Sequence, residues 1–360
     1  MLYRLNSCTQ TELRNIMAFQ RQVLEFACDI NIANPITKND IDTKFGNNAD
    51  WLWDKFHDEN NNKNNIYGNI GNLNVIVKTT PVLATQILNV YDHDCLFDRH
   101  INNGAYIFQF STLPVAVKGS LKPLLIEFYL ILSKASFPAT VSKSVRYRRR
   151  DFVKDFWKKN PQINVCPACD GMKPDEVNEN VSSDADHYLP KSEYPCISVH
   201  PLNLVPTCIQ CNRIYKLSED PIETPLVAPL LEICLPYFRE GFGPMVVDIS
   251  RNATGDWNVS FSENAVANTT KINSINRVYK LQKRWTGRMK TIPGEIYEHI
   301  SSSRNLWKRY KFQRIDIENS LKAQKDNYSK KRGQAPNYIL YYSYLEYTLT
   351  NAAEFHTLTN

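Results

Sequence analysis

The stretch of sequence that decides the fold runs from residue 166 to residue 216 and contains three motifs: CPAC at 166–169, DHYLPKS at 186–192 and HPLNLVPTCIQCNRIYK at 200–216. Its two Cys-x-x-Cys pairs supply four candidate metal ligands, which are Cys166, Cys169, Cys208 and Cys211. A Cys-x-x-Cys turn presents two thiolates to one ion, and four thiolates complete the tetrahedral coordination of Zn²⁺. The spacing therefore favours a structural zinc site over a redox-active pair, and it predicts that the metal folds this module.

An acidic residue, a histidine and two asparagines stand among and beside the cysteines: Asp186, His187, Asn203 and Asn212. A neutral imidazole accepts a proton near neutral pH, so His187 is a candidate general base for deprotonating water. Cleavage of a phosphodiester also needs a hard divalent ion to meet the charge that builds on the phosphate. Mg²⁺ takes oxygen ligands, which the Asp186 carboxylate and the Asn212 amide can supply. These residue types predict phosphodiester hydrolysis.

The motifs DHYLPKS and NLVPTCIQCNRIYK resemble those of the HNH endonucleases of the ββα-metal (His-Me finger) class, in the His-Asn-Asn form with a four-cysteine zinc site. The resemblance covers about 60 of the 360 residues. It implies that His187 is the general base and that Asp186 and Asn212 hold one catalytic Mg²⁺ or Mn²⁺. It further implies that Asn203 braces the hairpin that carries the base, and that the four cysteines bind zinc.

One position departs from the more usual form of the family, because the last residue of the motif is Asn212 and not histidine. An amide oxygen suits a hard ion such as Mg²⁺ or Mn²⁺ better than a transition metal. His200 is a further candidate for a phosphate or metal contact, but we interpret it as a loop histidine whose hydrogen bonds are satisfied within the protein.

Positive charge is concentrated outside the N-terminal third of the chain. Residues 1–142 carry 12 basic and 13 acidic side chains, whereas 143–159 carry 8 and 2, and 271–332 carry 17 and 5. Aromatic residues are interleaved with these basic side chains. Such a pattern suits nucleic acid, because basic side chains contact its phosphates and aromatic rings stack on its nucleobases. Solvated helix faces are the alternative interpretation. The residues predicted to contact nucleic acid are Arg148, Arg149, Arg150, Arg213, Lys216, Lys283 and Arg284.

The length of the chain is enough for two or three domains. We expect an α+β fold, predominantly helical, with a central ββα-metal, treble-clef-like zinc module flanked by helical regions. Three segments are predicted. Residues 1–142 form a mixed, mostly helical region that is a candidate for partner docking, and residues 143–225 form an HNH module with a basic lead-in helix. Residues 226–360 form a small β-hairpin followed by a basic, helical nucleic-acid-binding region. Within these segments we expect an exposed loop at 59–72 and a hairpin at 244–264 whose strands are joined by the Asn-Ala-Thr-Gly-Asp turn at 252–256. We also expect long basic helices at 271–332.

The sequence carries no sign of secretion or of membrane insertion. Its first residues lack the basic and then apolar pattern of a signal peptide. The most apolar run, at 121–137, is interrupted by charged residues and a proline, so it predicts a buried helix and not a membrane span. We expect a soluble, cytoplasmic protein with no membrane partner.

These observations predict an HNH endonuclease that hydrolyses nucleic acid, with DNA as the favoured substrate, structural Zn²⁺ and catalytic Mg²⁺ or Mn²⁺. One alternative is a zinc-containing adaptor that binds nucleic acid without cutting it. Another is a nuclease that acts with a protein partner as the effector of a bacterial anti-phage defence or restriction system. The sequence does not distinguish DNA from RNA or single from double strands.

Overall fold

The computed structural model of the protein describes residues 2–8, 10–56, 66–143, 146–174, 185–222, 229–239, 241, 245–263 and 269–359. Most of the described residues are in helices, and the described residues also form two separate antiparallel sheets of two strands each. The predicted α+β, predominantly helical class is therefore confirmed. Within the described ranges, no helix combines the length and the apolar character needed to span a bilayer.

The N-terminal region is built from helices. Their bounds are α1 Gln10–Ala27, α2 Lys38–Phe45, α3 Ala49–Phe56, α4 Ile66–Thr79, α5 Val82–Cys95, α6 Val115–Lys134 and α7 Ala139–Ser142, with short 3₁₀ turns at Gly46–Asn48, Phe97–Arg99 and Phe110–Thr112. The apolar run predicted to be a buried helix lies largely in α6, whose Leu121, Leu125 and Phe128 are fully buried. Spacings of three and four residues place these side chains on one helix face, which explains why the run forms a helix against the core.

The expectation of an exposed loop at 59–72 is wrong where the structure describes this segment. Residues 59–65 lie outside the described residues, and α4 begins at Ile66. Ile70, Leu73 and Val77 are buried along one side of α4, and the buried Asn74 amide donates hydrogen bonds to two backbone carbonyls. Burial of this apolar face outweighs the low helix propensity of asparagine and glycine.

The central segment contains the shortest strands. After α8 (Arg149–Lys159), β1 (Ala185–His187) pairs antiparallel with β2 (Leu204–Pro206), with Asp186 opposite Val205. All six strand residues are buried. A 3₁₀ turn at Pro195–Ile197 lies between the strands, and β2 leads into a helix of π type at Gln210–Lys216. The strands thus bring the Asp-His dipeptide and the helix after the second cysteine pair into one small unit.

The C-terminal segment begins with the expected hairpin. Strands β3 (Met245–Arg251) and β4 (Trp257–Glu263) pair antiparallel and are joined by the predicted turn at 252–256. The helices that follow are α9 Thr269–Tyr279, α10 Leu281–Arg288, α11 Ile292–His299, α12 Ser301–Arg309, α13 Arg314–Lys330, α14 Tyr338–Thr350 and α15 Ala352–Thr359.

The expected long basic helices at 271–332 are divided into five shorter ones. Lys280 and Lys311 adopt left-handed backbone conformations with φ of 52°, which end α9 and separate α12 from α13. Pro293 lies in the first turn of α11, where a proline is tolerated because the first amides of a helix have no intrahelical partner.

The central unit is packed into the N-terminal helices. Tyr129 of α6 donates a 2.6 Å hydrogen bond to the carbonyl of Ala185 in β1, and the Ser198 hydroxyl donates to the carbonyl of Leu125 at 2.9 Å. Buried apolar residues from all three predicted segments form one continuous cluster. The segment boundaries at 142 and 225 stay a prediction, but the central unit shares its core with the helices around it.

Candidate metal cluster and active-site cleft

The four cysteines predicted to bind metal are brought together in space. Their sulfur atoms all lie within 4.8 Å of one another, with 3.8 Å between Cys166 and Cys211 and 3.9 Å between Cys169 and Cys208. A tetrahedron with Zn–S bonds of about 2.3 Å places its sulfurs about 3.8 Å apart. A disulfide would require about 2.05 Å. The donor set and its spacing therefore fit a structural metal ion such as zinc.

Backbone geometry holds the sulfurs in place. The turn after Cys166 is closed by a 3.0 Å hydrogen bond from the Asp170 amide to the Cys166 carbonyl. The amide of Cys208 donates to the Cys166 sulfur at 3.3 Å. Gly171 follows the first pair, and a Cβ at this position would lie 3.2 Å from the Cys169 sulfur, so a larger residue would crowd the cluster. Hydrogen bonds within the cluster, first the one from Cys166, lower the pKa of the Cys208 thiol, whereas burial, as the largest cause, raises the pKa of the Cys166 thiol.

A cationic side chain from the C-terminal region reaches the cluster. Arg284 of α10, predicted to contact nucleic acid, is half-buried and donates to the Cys211 sulfur at 3.2 Å. Its guanidinium group lies 4.4 Å from the ring centroid of Tyr215. The neighbouring Trp285 donates its indole N–H to the carbonyl of Cys169 at 3.1 Å. A guanidinium next to thiolates offsets their negative charge, so α10 supports the cluster electrostatically as well as by packing.

His187, the predicted general base, is held in one orientation. Its Nε2 lies 2.8 Å from the carbonyl oxygen of Ser198, and its ring packs edge to face on Tyr129 with 4.1 Å between centroids. Because a carbonyl oxygen only accepts, Nε2 carries the proton and Nδ1 is left with the lone pair. Burial, followed by the positive charge of Lys191, lowers the pKa of His187 well below its usual value. The imidazole is therefore neutral at physiological pH.

Asp186, the predicted metal ligand next to His187, forms a buried ion pair. The ammonium group of Lys216 donates to Asp186 Oδ1 at 3.2 Å, and the two side chains are 1% and 4% exposed. Lys216 was predicted to contact phosphate, and the structure places it against this carboxylate. An ammonium ion at this position neutralises the charge that would attract a divalent cation, so metal binding and the ion pair compete for Asp186.

The Asn203 side chain makes hydrogen bonds to the backbone on the chain segment between β1 and β2, as predicted for a residue that braces the hairpin. Its Oδ1 accepts from the amide of Leu189 at 2.8 Å, and its Nδ2 donates to the carbonyls of Leu189 at 3.0 Å and Ile197 at 3.3 Å. The backbone carbonyl of Asn203 accepts from the amide of Tyr188 at 2.8 Å. The chain that leaves β1 is thereby tied to the chain that enters β2, which fixes His187 between them.

Three of the four predicted catalytic residues line one cleft of about 600 Å³. Asp186 and His187 line it from β1, and Asn212 lines it from the Gln210–Lys216 helix. Asp186 and Asn212 both offer oxygen ligands, so the donor chemistry of the cleft fits a hard cation such as Mg²⁺. Asn203 lies behind this surface and is buried.

Sequence reasoning missed one wall of the cleft. Tyr129, Ser133 and Lys134 of α6 line it, together with Lys191. Lys191 stands inside the DHYLPKS motif, so its position in the sequence was a usable signal. The residues of α6 lie more than fifty positions before Asp186, and no local pattern connects them to it.

The other predicted basic contacts are distributed around the cleft and away from it. Arg149 lines the cleft, and Arg148 lines a neighbouring cavity. Arg150 is exposed, with its guanidinium 3.9 Å from a carboxylate oxygen of Asp151. Arg213 and Lys283 are exposed on their helices. His200 is fully buried, and its Nδ1 accepts from the Leu202 amide at 3.2 Å. Its Nε2 has no hydrogen-bond partner among the described residues and lies 3.9 Å from a carboxylate oxygen of Asp98, so the expectation of a fully satisfied loop histidine is met at one ring nitrogen only.

Comparison of the chain with protein-family models, with curated proteins and with solved structures finds no match.

Proposed function

We propose that this protein is a metal-dependent endonuclease of the HNH type that hydrolyses phosphodiester bonds in nucleic acid, with DNA as the favoured substrate. The observation that carries the proposal is the single cleft that joins Asp186, His187 and Asn212. The order of β1, β2 and the Gln210–Lys216 helix, tied together by four cysteines, is the arrangement expected of a ββα-metal module.

In this mechanism His187 accepts the proton of the attacking water through Nδ1. The hydrogen bond from Nε2 to the Ser198 carbonyl fixes the tautomer, and the lowered pKa keeps the ring unprotonated. Asn203 maintains the position of this base by bracing the chain on both sides of it. Lys134, Lys191 and Arg149 line the cleft and would bind phosphate oxygens of the substrate.

Two metal sites belong to the proposal. The cysteine cluster would hold Zn²⁺ and fix the fold of the module. Asp186 and Asn212 would hold Mg²⁺ or Mn²⁺, which supplies positive charge to stabilise the phosphate and the leaving oxygen.

The test is cleavage of supercoiled plasmid, linear duplex, single-stranded DNA and RNA with Mg²⁺, with Mn²⁺ or with a chelator. We expect metal-dependent cutting that falls about 10²- to 10⁴-fold in His187→Ala, because a positioned general base contributes about this much. The zinc content of the variant should equal that of the wild type. His356 is exposed on α15, and His356→Ala serves as the matched control. Cutting retained by His187→Ala, or no cutting by the wild type under any condition, would overturn the proposal.

One observation favours the non-cutting adaptor as the second candidate. The buried Lys216 already neutralises Asp186, as in a protein that needs no metal at this position. An adaptor would bind nucleic acid with the same affinity in Mg²⁺ and in chelator, and would not cleave it.

A further inference from the structure

A second cavity lies beside the proposed active-site cleft. It has a volume of about 370 Å³ and is formed where α3, the end of α6 and the chain before α8 meet. We call it the α3–α6 pocket, and the lining residues that matter here are Trp51, Asp54, Lys55, Lys134, Arg146 and Arg148. Four of these six side chains are cationic and one is acidic. The positive excess selects an anionic ligand.

The α3–α6 pocket and the cleft share one lining residue. Lys134 lines both cavities, and Arg148 and Arg149 are neighbours in the chain that line one cavity each. Cationic side chains therefore line both cavities, and Lys134 belongs to the two of them. Positive charge in two adjoining cavities suits the repeating phosphates of a nucleic-acid strand.

Trp51 gives the pocket an aromatic surface. Its ring packs at an angle on Phe137 and Phe19, with 5.4 Å and 6.1 Å between centroids, and the residue is partly exposed and lines the pocket. A tryptophan fixed in this way offers a flat surface for stacking of a base, and every base has such a face. A cavity of this size accepts one nucleobase with its sugar, whereas a base within a duplex is already stacked between its neighbours.

We propose that the α3–α6 pocket is a subsite for one unpaired nucleotide of the strand whose phosphate occupies the cleft. The proposal rests on the proposed function and adds the substrate class: the nucleic acid is single-stranded, or locally unpaired, beside the bond that is cut. The base stacks on Trp51, and the flanking phosphates contact Lys134, Arg146 and Arg148.

The first test measures binding and does not depend on cleavage. The full chain is titrated with a fluorescein-labelled 15-nucleotide single strand, and separately with the matched duplex, in the presence of chelator. We expect the wild type to bind the single strand more tightly. Arg146→Glu, at an exposed position, should weaken single-strand binding about tenfold and reduce the slope of log K against log salt by about 0.7, the value for one lost phosphate contact. Lys44→Glu reverses an exposed charge on α2, outside both cavities, and should change neither quantity.

The second variant, Trp51→Leu, tests the stacking contact. It should weaken single-strand binding about tenfold and leave duplex binding unchanged, because only the unpaired base reaches the ring. Thermal unfolding of this variant shows whether its core is retained. If Trp51→Leu is unfolded, Arg146→Glu alone decides whether the pocket binds the single strand.

Two results would overturn the subsite. In the first, Arg146→Glu binds the single strand as tightly as the wild type does. In the second, the wild type binds the duplex as tightly as the single strand, and Arg146→Glu weakens both to the same extent. A wild-type protein that binds single strands through this pocket but never cuts would instead overturn the proposed function alone. Single-stranded RNA of the same sequence, as a third titration, identifies the sugar that the subsite accepts.

Discussion

The ammonium group of Lys216 lies 3.2 Å from Asp186 Oδ1, with both side chains buried. Two buried opposite charges compensate each other, so removing one of them weakens the charge compensation of the other in a medium of low dielectric constant. The same carboxylate is the proposed ligand of a divalent ion. Lys216 therefore supplies positive charge to Asp186 at the position where the proposed metal ion would bind.

This role predicts how Lys216→Met behaves. The variant should lose about 3–5 kcal/mol in free energy of unfolding without divalent ions, because Asp186 is then left as a buried charge without this partner. Adding Mg²⁺ should raise the unfolding midpoint of Lys216→Met more than that of the wild type, since the ion replaces the missing ammonium group. Urea unfolding with Mg²⁺ and with chelator measures both effects.

The matched control for this prediction is Asp186→Asn combined with Lys216→Met, which carries neither charge. The double variant should regain most of the stability and should not respond to Mg²⁺. Equal unfolding free energies for Lys216→Met and the wild type, with the same response to Mg²⁺, would show that the pair contributes nothing.

At the scale of elements, the sequence predicted those structures that depend on residues close together in the chain. The cysteine spacing predicted the sulfur cluster, and the turn residues at 252–256 predicted the hairpin of β3 and β4. The wall that α6 contributes to the cleft could not be predicted, because Tyr129 approaches β1 only through packing of distant segments. The helix α4 was missed for a related reason, since its buried face is stabilised by tertiary contacts that outweigh its composition.

The Gln210–Lys216 helix couples the two proposed metal sites. Cys211 is a cluster residue, and Asn212 beside it lines the cleft. A ligand lost at Cys211 should therefore release the helix that positions Asn212. We expect Cys211→Ser to bind well below one zinc ion per chain, to unfold at a lower temperature and to lose cleavage along with the metal.

Metal analysis and thermal unfolding, each before and after treatment with a chelator, check this prediction. Cys28→Ser is the control, because Cys28 is also buried but directly follows α1 and is not a member of the cluster. Its zinc content should match that of the wild type. A Cys211→Ser protein with full zinc content and unchanged cleavage would separate the cysteine cluster from the cleft.

At the scale of the whole molecule, the first residues of the chain and the start of α14 meet at the turn that carries the first cysteine pair. The hydroxyl of Tyr3 donates to the Asp170 carboxylate, and the amide of Ile339 donates to Asp170 Oδ2 at 3.2 Å. The backbone carbonyl of Asp170 accepts from the amide of Asn337 at 3.0 Å, and Leu2 donates to the carbonyl of Pro167 at 2.9 Å. The C-terminal helices thus hold the cluster in place from outside the motif.

Asp170→Ala tests this long-range support. It removes the acceptor of two buried donors and puts alanine at a left-handed backbone position with φ of 58°, so it should lower the unfolding free energy by about 2–4 kcal/mol. Asp170→Asn is the matched variant, because asparagine tolerates the left-handed conformation and keeps one oxygen acceptor, and it should lose less. Chemical unfolding gives the free energies, and the rate of zinc transfer to a chelator gives the effect on the cluster. If the contacts from the first residues and from α14 stabilise the metal site, zinc leaves Asp170→Ala fastest and Asp170→Asn at an intermediate rate. Equal rates in the wild type and both variants would show that these contacts do not stabilise the bound metal.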